Sequence, residues 1–154
     1  MSYRIAMALA TVSIAVLALL RIADTYSVFN HTYDEAFHIA AGMQWLDQGR
    51  YDAEPFHPPM RSVYAVGPRL LGSHSFGEPS LRREGQRILY EGGDYKRVLT
   101  AARIAALPFF LLALAVVGVW AARISGPSAA LAAMLAYSML PLALANAGWL
   151  LPTR

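Results

Sequence analysis

The segment His31-Thr32-Tyr33-Asp34-Glu35-Ala36-Phe37-His38 sets two carboxylates and two imidazoles within eight residues of a largely apolar chain. Paired acids of this kind serve general acid–base chemistry, in which a carboxylate accepts the proton of a reacting hydroxyl. Imidazole with carboxylate also suits several divalent ions, although the spacing here matches no specific metal motif. All ten acidic residues lie between Asp24 and Asp94, and all four histidines between His31 and His74. The polar chemistry is therefore confined to one loop between membrane-type helices. An acid pair held at a membrane surface points to a lipid-linked or membrane-delivered substrate.

A helix over residues 33–48 is expected to position these groups. Thr32 followed by Glu35 matches a capping box, and Gly49 supplies the C-terminal glycine. Asp34 then falls at the second helical position, where backbone amides and the helix dipole stabilise negative charge. His38 lies four residues after Asp34 and three after Glu35, so the spacing puts all three on one face. Each also has a structural reading. Glu35 completes the capping box, Asp34 complements the dipole, and His38 packs its ring against the membrane. The apolar set Phe37, Ile39, Ala40, Ala41, Met43, Trp45 and Leu46 predicts an interfacial helix with Trp45 at headgroup level.

Further along, His57-Pro58-Pro59 is a second polar point on a proline-fixed loop. Residues 60–71 read as another short membrane-surface helix, and residues 81–90 as a short basic helix. Gly92-Gly93 resets the chain, and Asp94 is placed to cap a helix running straight into the next apolar stretch.

Composition sets these elements in a membrane. Hydrophobic residues make up 56% of the 154 and the mean hydropathy is +0.39, above the ~45–50% apolar share of soluble domains. Residues 5–20 and 104–122 are free of charge and bounded by arginines, as are residues 124–153. A bilayer core requires about 20 apolar residues per helix. The expected fold is an all-α membrane protein with spans at 5–23, 104–122 and 128–145 and a loop over 24–103. The first span reads as an uncleaved anchor rather than a secretory signal. Arg4 and Arg123 lean weakly toward a cytoplasmic N-terminus. The absence of cysteine excludes disulfides and thiolate metal sites. A net charge of +3 without a clustered basic patch argues against nucleic acid and for contact with lipid headgroups.

Tyr33-Asp34-Glu35-Ala36-Phe37-His38 after an apolar helix, then Ala41-Gly42-Met43-Gln44-Trp45-Leu46, Gly49-Arg50-Tyr51 and His57-Pro58-Pro59, resembles the start of the GT-C superfamily of membrane glycosyltransferases. The group most similar is the protein-mannosyltransferase and aminoarabinose-transferase-like family. Ala121-Ala122-Arg123-Ile124-Ser125-Gly126-Pro127 resembles the turn between that family's second and third spans. The resemblance implies a partial GT-C fold, with the 154 residues as the N-terminal part of a polytopic transferase and the long loop extracytoplasmic, in a bacterial inner membrane. It implies inverting transfer of a sugar from a polyprenyl-phosphate-linked donor. Asp34 is then the candidate base with Glu35 beside it, and His38, His57, Arg61 and Arg103 are the candidate substrate-binding residues. No cofactor or metal ligand is assigned, a divalent ion being compatible with the chemistry. Where the family places a second acid after the third span, this chain has Pro152-Thr153-Arg154, so a short chain inactive on its own is expected. The alternative is a non-enzymatic three-span module that binds a partner or ligand through its loop.

Overall fold

A computed structural model describes residues 2–50 and 59–140, the side chains of 59–61 apart. The described residues are 81% helical and include no strand, so the chain is all-α. The order is α1 (Tyr3–Tyr26), α2 (Tyr33–Gln48), a 3₁₀ helix (Pro59–Ala65), α3 (Val66–Leu70), α4 (Leu81–Glu91), α5 (Tyr95–Ser125) and α6 (Pro127–Met139). Two compact units result. Among the described residues, one takes the chain up to Val28 and from Leu107 to Leu140; the other is Phe29–Ala106.

The first unit holds α1, the later part of α5 and α6. Ala18, Ile22 and Tyr26 of α1 pack with Phe110 and Leu114 of α5 and Met134 of α6. Phe110 and Tyr137 stack with ring centroids 5.8 Å apart. Helices α1 and α5 are long and apolar enough to cross a membrane, and only 17% and 22% of their apolar windows are buried. So little burial distinguishes them from the core helices of a soluble domain. Ile5, Leu9, Val12 and Leu17 on α1, and Leu112, Val116 and Trp120 on α5, stay exposed. Apolar surface of this extent marks contact with lipid or partner. Among the described residues α6 is a shorter apolar helix, beginning on Pro127 and ending at Met139. The remainder of the expected third span, 141–145, lies outside the described residues.

The second unit forms around α2. Ala36, Ile39 and Met43 meet Tyr64 and Ala65 from the 3₁₀ helix, Ile88 and Leu89 from α4, and Val98, Leu99 and Ala102 from the start of α5. Of the nine positions of α2 from Glu35 to Met43, all but Phe37 are buried. This departs from the expected interfacial helix. The middle of α2 packs its apolar side chains against α4, α5 and the 3₁₀ helix, and its ends leave Tyr33, Trp45 and Leu46 exposed. Two glycines allow the close approach. A Cβ on Gly85 of α4 would collide with the backbone carbonyl of Ala36, and one on Gly42 with that of Ser62. The 60–71 segment is a 3₁₀ helix followed by the single turn of α3, not one continuous helix.

Candidate active site

Thr32 begins α2 with extended backbone, and its hydroxyl accepts the Glu35 amide at 3.2 Å. Glu35 Oε2 in return accepts the Thr32 amide at 2.8 Å, completing the expected capping box. The helix closes at Gly49, whose φ of 68° is the left-handed conformation that glycine adopts without steric cost.

The same Glu35 carboxylate has a second commitment. Arg103, at the start of the apolar run of α5, donates from Nε to Oε1 at 2.8 Å and from Nη2 to Oε2 at 3.1 Å. Both side chains are fully buried. Arg103 also donates from Nη1 to the Phe29 carbonyl and from Nη2 to the Asn30 carbonyl. The guanidinium thus ties the segment entering α2 to α5. Its planar fork matches the carboxylate in the two-point geometry that makes such pairs strong. Removing either partner would strand a buried charge.

Asp34, one residue earlier, has the opposite surroundings. It is half-buried, and among the described residues it makes no hydrogen bond and no ion pair. Its neighbours on α2 are unequal in exposure: Tyr33 is exposed, Glu35 buried. The adjacent acids therefore divide their work. Glu35 fixes the helix start, and Asp34 keeps a free carboxylate at that helix start.

His38 is buried, as its place one turn after Glu35 requires. Its ring stacks on Tyr64 at 6.5 Å and meets the edge of Phe37 at 6.2 Å. His31 is held by a single phenol. Its backbone N–H donates to Tyr95 Oη at 2.9 Å, and Nδ1 lies 2.9 Å from the same oxygen. Burial lowers the His31 pKa from its ordinary 6.5; the Glu35 carboxylate raises it and the Arg103 cation lowers it by smaller amounts. His57 and the side chain of Arg61 lie outside the described residues. No three His, Asp or Glu side chains converge as metal ligands among the described residues. In particular, Glu35 turns to Arg103 and His31 to Tyr95.

Three supporting groups carry no sequence motif. Glu84, buried in the first turn of α4, accepts from the Ser75 hydroxyl and the Phe76 amide on Oε1 and from the Glu78 amide on Oε2. It pins the 75–78 loop to α4. Asp47 near the end of α2 accepts the Ser75 amide and pairs with Arg69 at 2.8 Å. Tyr95 holds His31 across 64 positions of sequence. An isolated Glu in a basic segment was the available signal for Glu84. Nothing local marks the other two.

Comparison with protein-family models, curated proteins and solved structures finds no match.

Proposed function

We propose that this chain contributes the acid-bearing part of a membrane glycosyltransferase of GT-C type, using a polyprenyl-phosphate-linked sugar as donor. The resemblance of the 33–59 region motivates the reading. The observation that carries it is the separation of the two acids. Glu35 is locked in a buried fork with Arg103, while Asp34 stands half-buried and unpartnered one residue away. A carboxylate left out of any ion pair at the start of a rigid helix is placed to take a proton.

In this reading Asp34 accepts the proton of an acceptor hydroxyl. The acceptor oxygen attacks the anomeric carbon on the face opposite the lipid phosphate, so configuration inverts. The new C–O bond forms as the bond from the anomeric carbon to the phosphate oxygen breaks. The electron pair leaves with the polyprenyl phosphate, which gains one negative charge. Glu35 and Arg103 act as positioning residues that hold the start of α2. The reading includes a third span over 128–145 and places the 24–103 loop outside the cytoplasm of a bacterial cell.

The test replaces Asp34 by Asn in the source cell, where the chain meets whatever further subunits or segments it works with. Membranes are supplied with labelled polyprenyl-phosphate sugar, and the released polyprenyl phosphate and the anomeric configuration of the product are followed. The expected result is inversion, with release lowered by ~10²–10⁴-fold in Asp34→Asn. Undiminished release, or retained configuration, would overturn the assignment. Sugar transfer unaltered by deletion of the whole chain would favour a non-enzymatic module instead.

A further inference from the structure

Breaking the bond to a lipid phosphate leaves extra negative charge on its oxygens, and a cation near that charge lowers the barrier. Six arginines and a lysine in the Phe29–Ala106 unit bear on this point. Arg103 is buried against Glu35. Arg69 is paired with Asp47, and Arg87 with both Glu78 and Glu91. Lys96 reaches Asn30 and the Tyr95 ring. Arg82 and Arg83 at the start of α4, and Arg97 in the first turn of α5, are exposed, and their side chains hold no carboxylate among the described residues. Of these three, Arg82 touches the helix that bears the acid pair: its guanidinium carbon lies 5.0 Å over the centre of the Tyr33 ring.

That placement is fixed by the packing of the two helices. Gly85 brings α4 onto the backbone of Ala36 with no room for a Cβ. One turn earlier on each helix come Arg82 and Tyr33, which therefore meet. Glu84 anchors the loop before α4 through three hydrogen bonds, so the helix start cannot swing away freely. Tyr33 directly precedes Asp34. The result is an exposed guanidinium, steadied on an aromatic face and not neutralised by a carboxylate, beside the first turn that carries the free acid.

We propose that Arg82 binds the phosphate of the lipid-linked donor and stabilises the charge it gains as the sugar departs. This rests on the transferase reading. A planar guanidinium presents paired N–H donors to phosphate oxygens, and the Tyr33 ring reduces the freedom it loses on binding. Asp34 takes the acceptor's proton, and Arg82 holds the leaving group.

The experiment uses the full chain in nanodiscs of zwitterionic lipid, so that bulk headgroups supply no competing net charge. A polyprenyl phosphate and the matching uncharged polyprenol are titrated separately, with inorganic phosphate as competitor. Wild type is expected to prefer the phosphate. Arg82→Ala is expected to lose ~10–100-fold of the affinity for polyprenyl phosphate and none for polyprenol. Arg82→Lys should regain part of the loss, since it restores the charge and not the fork. Competition by inorganic phosphate alone at the same concentration would identify a free-anion site and overturn the donor assignment. Unchanged phosphate affinity in Arg82→Ala, with Asp34→Asn still inactive in membranes, would overturn the role of Arg82 and leave the transferase reading standing. Tight phosphate binding that needs Arg82, with Asp34→Asn fully active, would support the anion site and remove the reaction proposed for it.

Discussion

At the scale of single residues, two neighbouring acids of one type differ in everything that decides their chemistry. Three hydrogen-bond donors are aimed at the Glu35 carboxylate: the Thr32 amide and Arg103 Nε and Nη2. Glu35→Ala leaves Arg103 buried without its partner, and is expected to cost about 3–5 kcal/mol in urea unfolding. Replacing both residues with apolar ones of similar size should recover much of that loss, because no buried charge is then left over. His31 makes a second prediction. Its pKa is lowered in the folded chain, so the unfolded chain binds the proton more readily. The contribution is complete above the ordinary value of 6.5 and is lost as the pH falls below it towards the folded value. Thermal stability should therefore drop on acidification through this window, and His31→Asn should flatten that part of the profile. The acid pair and its capping role were legible in Thr32-x-x-Glu35. The partner was not: Arg103 lies 68 positions away, and an arginine beginning an apolar run reads locally as a headgroup anchor.

At the scale of elements, local rules did well wherever a helix end carried its own chemistry. The expected bounds of α2 agree with the observed Tyr33–Gln48. Asp94 caps α5 as its position implied, its side chain accepting the Arg97 amide at 2.8 Å. The 81–90 helix is observed as Leu81–Glu91. Reading α2 as an interfacial helix failed for a physical reason. Apolar periodicity reports that a face is buried, and is silent on whether protein or lipid covers it. Here α4 covers it, and Gly85 makes that possible. Gly85→Ala would push a methyl into the Ala36 carbonyl, a backbone atom that cannot rotate aside. The expected cost is about 1–3 kcal/mol, read as a lower unfolding midpoint, together with loss of the Arg82–Tyr33 contact. The 3₁₀ geometry of Pro59–Ala65 was equally hidden, since its residues carry no signal separating it from an α-helix.

At the scale of the whole molecule, the chain divides into an apolar helical unit and a unit that carries the acid pair. The apolar windows of α1 and α5 are mostly unburied, so membranes isolated from cells should retain the chain through alkaline carbonate extraction. Release into the supernatant would count against membrane insertion. The cysteine-free sequence makes topology directly measurable. His74→Cys, in the loop, is expected to react with a membrane-impermeant maleimide added outside intact cells. Arg123→Cys, near the end of α5, should react only after the membrane is opened. The reverse pattern would put the loop in the cytoplasm and deny it an extracytoplasmic lipid-linked donor. The apolar stretches were plain in the sequence because charge-free runs need no tertiary information. How residues 29–106 fold around α2 was not, because that depends on contacts between distant segments.

The most direct single measurement is the rate of one turnover of bound polyprenyl-phosphate sugar in membranes carrying Asp34→Asn, compared with wild type at equal folded amount. Asp34 makes no hydrogen bond or ion pair among the described residues, so the variant is expected to fold normally and to release polyprenyl phosphate ~10²–10⁴-fold more slowly. A normally folded variant that turns over at the wild-type rate would contradict the assignment of Asp34 as the base.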